Sequence, residues 1–210
     1  MATTASRTSS AAAFVPEGAD LAALRRAAAG CQGCDLYKPA TQTVFGAGPE
    51  DAGLVLVGEQ PGDVEDRQGE PFVGPAGRLL DKALHEADLA REGVYLTNAV
   101  KHFKFVPAER GKRRIHKTPS RGEVVACLPW LRAELAQVRP GLVVCLGATA
   151  AKAVLGNAFK VSERRGQVER FEDYDVIATV HPSSVLRAPD RDEAYRSFLA
   201  DLRVVRAHLG

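Results

Sequence analysis

Nowhere does the chain carry an apolar run of the roughly 18–20 residues that a membrane-spanning helix needs; its longest hydrophobic stretches are strand-sized. That excludes a helical membrane anchor. The opening segment, Met1 to Ala13, is rich in Ala, Ser and Thr but has one Arg and no long apolar centre. It therefore does not read as a secretory signal. We expect a disordered tail over residues 1–13, with a transit peptide as the alternative because acids are absent there. Cysteines are few: Cys31, Cys34, Cys127 and Cys145. Without a secretion signal they are not expected to form a disulfide framework. No internal repeat is present.

What remains is ample for a folded unit. The 210 residues are 45% hydrophobic and 26% charged, which argues against global disorder and for one compact domain over residues 14–210. The net charge of only +2 conceals an asymmetry. Between Lys101 and Arg121 stand eight basic residues (Lys101, Lys104, Arg110, Lys112, Arg113, Arg114, Lys117 and Arg121) against Glu109 alone. Such a segment either meets a polyanion or is a solvated basic loop. Cys31-Gln-Gly-Cys34 has metal-ligand or redox spacing.

Four apolar runs read as buried strands: Leu54–Gly58, Val94–Thr97, Leu142–Leu146 and Val176–Val180. Helical periodicity covers Ala19–Ala29, Ala76–Leu89, Arg121–Val138 and Arg191–His208, and Gly147 opens a further short helix through Leu155. Ser120 with Glu123 forms a capping box for the third of these, which is expected to bury Val124, Val125, Leu128, Leu131, Leu135 and Val138 on one face. Pro129 predicts a kink or break inside it. Strands alternating with helices imply a parallel sheet covered on both faces, a three-layer α/β/α arrangement. Ligands of such sheets bind beyond the carboxyl ends of the strands. Here those ends carry Gly58-Glu-Gln-Pro-Gly-Asp63, Thr97-Asn98 and His181-Pro-Ser-Ser184.

Several of these segments together resemble the uracil-DNA glycosylase superfamily, specifically its iron–sulfur classes related to family 4. They are Val44-Phe-Gly-Ala-Gly48, Gly58-Glu-Gln-Pro-Gly-Asp-Val-Glu-Asp66, Pro71-Phe-Val-Gly-Pro-Ala-Gly77, Tyr95-Leu-Thr-Asn98 and His181-Pro-Ser-Ser184. The match spans Cys31 to Arg187, roughly three quarters of the chain. Gly111-Lys-Arg-Arg-Ile-His116 points to the UdgX branch, whose hallmark is this basic insertion ending in histidine. The resemblance implies a four-stranded parallel sheet between helices and a monomeric, cytoplasmic, bacterial-type repair enzyme. It would act on uracil-containing DNA, preferably single-stranded, with no membrane partner.

The same resemblance implies a [4Fe–4S] cluster. Cys31, Cys34 and Cys127 match three ligand positions, and His102 occupies the fourth, as imidazole does in Rieske centres. Cys145, in mid-strand, is the rival ligand, though a buried thiol there packs as a small hydrophobe. Zinc accepts the same three-Cys, one-His set.

The remaining roles are likewise implied. Phe72 matches the aromatic that stacks on the base, and Asn98 the amide that reads uracil. His181 matches the donor to the departing base, with backbone groups around Glu59 and Gln60 assisting. Glu59 and Asp63 sit where the superfamily positions or activates its nucleophile, with Asp66 a weaker candidate. His116 matches the histidine that bonds to the deoxyribose C1′; taken on its own, a histidine in a Lys/Arg-rich loop is more often a phosphate contact. Lys112, Arg113, Arg114 and Lys117 are expected to track phosphates, with Arg114 also holding the loop. Ser184 and Arg187 are expected to contact substrate, and Leu186 to act as a wedge in the vacated stack. Two alternatives stay open: a conventional hydrolytic glycosylase that releases an abasic site, and a non-catalytic metal-stapled DNA binder or redox sensor.

Overall fold

The computed structural model describes residues 10–108, 114–171 and 173–210. The elements run α1 (Leu21–Ala28), β1 (Leu54–Gly58), α2 (Asp63–Gln68), α3 (Pro75–Glu86), β2 (Val94–Asn98), β3 (Phe105–Pro107), β4 (Arg114–His116) and α4 (Arg121–Val138). They continue with β5 (Leu142–Leu146), α5 (Ala148–Leu155), α6 (Val161–Arg164), β6 (Val168–Phe171), β7 (Tyr174–Thr179), α7 (Pro182–Leu186) and α8 (Arg191–Leu209).

The main sheet has the order β2-β1-β5-β7-β6. Its first four strands are parallel, as the apolar runs predict. The expectation of a four-stranded sheet is corrected by β6, which pairs antiparallel with β7 at one edge. The exposure of β6 alternates, Val168 and Arg170 being exposed and Glu169 and Phe171 partly buried, as in an edge strand with one wet face. Side chains alternate across the parallel strands. Val55, Val57, Val143, Cys145 and Val176 pack under α1, α4 and α5. Leu54, Leu56, Leu142, Val144 and Ile177 pack under α3, α7 and α8. The sheet is thus covered on both faces, in three layers.

Two other expectations change. Ser120 and Glu123 do form the capping box of α4, and the helix runs through Pro129 without ending. However, α4 buries Trp130 and Glu134 as well as Leu131 and Leu135, while Val125 is 53% exposed and leaves the expected face. Of the segment read as a tail, residues 1–9 lie outside the described residues, but Ala11 is buried and its N–H donates to the Ala126 carbonyl at 2.7 Å. Those last tail residues are therefore part of the packed structure.

Outside the main sheet, β3 and β4 form a two-stranded antiparallel hairpin that pairs Phe105 with His116. No described helix is long and apolar enough to cross a membrane.

Candidate active site

Strands β1 and β2 end side by side, Gly58 in register with Asn98. A Cβ on Gly58 would lie 2.3 Å from Asn98 Oδ1 and 2.7 Å from Phe72 Cζ. The amide and the ring therefore converge on a slot that only glycine leaves open. Phe72 sits in the left-handed region at φ +59°, a conformation that costs ~1–3 kcal/mol outside glycine. Its carbonyl is pressed against the first turn of α3, where a Cβ on Gly77 would approach to 1.6 Å. Glycine at 77 thus permits the close packing that holds the Phe72 backbone. Glu65, which the motif pattern did not single out, fixes the loops on either side: its carboxylate accepts from Gly62 N–H (3.1 Å) and Gly74 N–H (2.8 Å).

His181 caps α7 and stacks on Phe72, ring centroids 6.3 Å apart at 26°. Its Nδ1 accepts from the Ser183 N–H at 3.1 Å. The proton must then sit on Nε2, which becomes a directed donor. Burial, aided by His116 and Arg187, pushes its pKa down to about 4, so the ring is neutral. Ser183 therefore sets the tautomer; Ser184, the expected substrate contact, spends its hydroxyl on the His181 carbonyl at 2.7 Å. Arg187 is exposed and lowers the pKa of both histidines, which places it beside them.

His116, at the end of β4, is half-exposed, 48% of its side chain being open to solvent. Its Nε2 lies 2.8 Å from Gln60 Nε2 and 3.7 Å from Glu59 Oε1. Gln60 is buried, and its Oε1 accepts from Lys104 N–H at 3.0 Å, which fixes which end of the amide donates. His116 Nε2 is accordingly the acceptor and carries the lone pair, with the proton on Nδ1. Burial lowers the His116 pKa, Glu59 opposes that and Arg187 adds to it, leaving it below the ordinary imidazole value. The side chain of Gln60, expected at substrate, instead clasps the hairpin through the Lys104 and Lys117 carbonyls, both at 3.2 Å. Thr149, from the first turn of α5, donates to Glu59 Oε2.

The basic segment is less free than its sequence suggests. Arg114 is corrected as a phosphate contact: only 14% of its side chain is exposed, and it pairs with Asp63 and, at 2.6 Å, with Asp66. Its guanidinium also stacks against Phe103 and Phe105. Asp63, expected near the nucleophile, is consumed in this anchor and by Arg67 at 3.2 Å. Lys104 pairs with Glu123 at 2.8 Å. Lys101 is fully buried, donating to Glu134, to Thr97 Oγ1 at 2.6 Å and to the Asn98 carbonyl at 2.8 Å. Glu134 also accepts from Tyr95 and from Gly46 N–H. Lys117 and Arg121 are exposed, whereas Lys112 and Arg113 lie outside the described residues.

All four cysteines are buried and free. As the side chains stand, no three Cys, His, Asp or Glu groups among the described residues converge on a common point that would hold a metal ion. The donor chemistry nonetheless groups three of them. Cys31 and Cys34 both act electrostatically on Cys127, whose thiol burial pushes up to about 12. Each of the three sulfurs receives an N–H, from Trp130 Nε1 (3.2 Å) at Cys31, from Lys101 (3.3 Å) at Cys127 and from Leu36 at Cys34. Such donors suit thiolates that a cationic centre would stabilise. His102 Nε2 meets Thr43 Oγ1 at 2.9 Å, and Thr43 gives its own proton to the Ala28 carbonyl. The imidazole therefore donates from Nε2 and keeps Nδ1 as a lone pair, the tautomer a metal ligand needs. Burial pushes the His102 pKa down to about 4. Cys145 stands apart in the sheet core, where burial alone raises its thiol pKa.

Residues 45–203 match the family model described as the uracil DNA glycosylase superfamily. The chain is 39% identical over 176 residues to the type-4 uracil-DNA glycosylase of Archaeoglobus fulgidus, covering 80% of this chain and 83% of that protein. It is 35% identical over 181 residues to the type-4 uracil-DNA glycosylase of Thermotoga maritima, covering 85% and 89%. To the type-4 uracil-DNA glycosylase of Pyrobaculum aerophilum it is 34% identical over 178 residues, covering 81% and 86%.

Proposed function

The chain belongs to the uracil DNA glycosylase superfamily, and from that premise we propose that it excises uracil from DNA and then bonds through His116 to the deoxyribose C1′. The observation that carries this reading is the His116 lone pair, held by Gln60 at 2.8 Å beside Glu59, within electrostatic reach of His181 in the Phe72–Asn98 slot.

A stacked base is out of reach of such a slot, so the target nucleotide is single-stranded or extruded. Phe72 stacks on the pyrimidine and the Asn98 amide pairs with O4 and N3–H; cytosine presents an amino group where uracil has O4. As the C1′–N1 bond breaks, its electron pair leaves with uracil, and charge grows on O2. His181 Nε2–H donates to that oxygen, while the Glu59 carboxylate faces the cationic sugar. The His116 Nε2 pair then forms the N–C1′ bond. The Nδ1 proton is released to solvent, and the uracil anion takes one from solvent, so the books balance. The test is a uracil-containing single-stranded oligonucleotide incubated with the protein and run on a denaturing gel. A shifted band with uracil, absent with thymine, is the expected result; free abasic product with turnover would establish the hydrolytic alternative.

Gly58→Ala is expected to lower excision by about a hundredfold, because a methyl there displaces the amide and the ring that read the base. The far-UV circular dichroism should be unchanged. Undiminished excision would show that the base binds elsewhere.

We further propose that Cys31, Cys34, Cys127 and His102 hold a [4Fe–4S] cluster. When bound, such a group supplies a covalent staple between the N-terminal turn, the His102 segment and α4. Purified protein should absorb near about 400 nm. Cys127→Ser and His102→Ala should bleach that band and Cys145→Ala should keep it. Bleaching by Cys145→Ala with retention in His102→Ala would reassign the fourth ligand.

A further inference from the structure

Beside the slot, a trough of about 620 Å³ runs between α4 and α5. One wall is a stripe on α4 made by Arg121, Val125, Leu128 and Arg132, spaced by the threes and fours that align side chains along a helix. Lys152 of α5 lies on the opposite wall, and Phe171 of β6 adds an aromatic surface. The lining contains three cations and no carboxylate. Among the described residues, Arg132 and Lys152 enter no ion pair. They are cations without an internal task, set above an apolar floor of which Val125 is 53% exposed.

The trough opens at the reactive centre. Thr149 lines it and also donates to Glu59. Thr118, two residues after His116, lines it as well. From Arg121 to Arg132 the helix advances about 16 Å, room for about three or four nucleotides. Cations along a concavity with apolar side chains beneath suit a flexible single strand, whose phosphates and base faces need those two surfaces. A duplex keeps its bases paired and stacked inward, so it cannot lay their faces on such a floor.

Resting on the glycosylase reading above, we infer that this trough seats the single strand flanking the target nucleotide on one side. The phosphates lie against Arg121, Arg132 and Lys152, and the bases lie on the apolar floor. The affinity for substrate then depends on a flank of one polarity, and this dependence resides in α4 and α5 and not in the slot.

The test uses the full chain and three single-stranded oligonucleotides: uracil in the centre, uracil near the 5′ end and uracil near the 3′ end. For the wild type, removing one of the two flanks should raise the half-saturating concentration about tenfold, and removing the other should change it little. In R132E/K152E the flank preference should vanish, while the maximal rate and the reaction of the truncated substrate stay at wild-type values. R132A/K152A should show the same pattern more weakly, and the salt dependence should lose about two phosphate contacts. Persistence of the flank preference in the charge-reversed variant, or equal loss on truncated and full substrates, overturns the inference. So does equal affinity when the preferred flank is made double-stranded. If the wild type releases uracil from none of the three, the glycosylase reading itself has failed.

Discussion

His116→Ala removes the denaturation-resistant protein–DNA band entirely and leaves free uracil and abasic DNA as the products, because the glycosidic bond breaks before that imidazole bonds to the sugar. Binding to an uncleaved oligonucleotide should survive, because the slot formed by Phe72, Asn98 and His181 does not depend on that ring. The pH profile gives an independent check. Only neutral imidazole has the lone pair, and the His116 pKa is held below its ordinary value, mainly by burial. Bond formation should therefore be flat through neutral pH and fall only on acidification beyond the ordinary imidazole range. Glu59 favours the protonated ring. Glu59→Gln should thus make protonation harder, moving the acid limb to lower pH even as the rate drops by about a hundredfold from loss of the charge facing the sugar. An acid limb that moved up, or a denaturation-resistant band that persisted in His116→Ala, would sink the proposed chemistry.

The second large effect is on stability. Glu134→Leu leaves the Lys101 ammonium with no counter-charge at a site that is 0% exposed for both side chains. Removing one partner of a buried pair costs about 3–5 kcal/mol. Here the loss also strips acceptors from Tyr95 and Gly46. The urea midpoint should fall accordingly. Lys101→Met combined with Glu134→Leu should recover a substantial part of the loss, since apolar pairs of similar volume replace buried ion pairs at little cost. A single variant within about 0.5 kcal/mol of the wild type, the range of ordinary surface changes, would show that the pair carries no such weight.

That pair also marks a limit of reading the sequence. Lys101 stands in a basic run and reads as surface charge; nothing local shows that Glu134, on a distant helix, meets it. The same holds for Arg114, whose partners Asp63 and Asp66 are about fifty residues away in the chain. Pairings over such separations are set by tertiary packing. The strands β1 and β5 were readable to the residue because each is a continuous apolar run bounded by turns. The edge strand β6 was not, being half polar, nor was the hairpin, whose Val106 and Ile115 remain exposed. At the site, the strand-end rule led to Asn98 and His181 because parallel strands deliver their ends to one edge. It could not reveal Ser183, Glu65 or Thr149, whose parts are played through hydrogen bonds that leave no pattern in the chain.

The hairpin of β3 and β4 shares no ladder with the five-stranded sheet; Gln60 and the Arg114 anchor fasten it from outside. On the proposed reading, the ability to break a glycosidic bond and the ability to stay attached afterwards belong to separate pieces of architecture. A chain with the same slot and no histidine on the hairpin would then turn over as a recyclable catalyst, whereas this one would mark each lesion once and be spent.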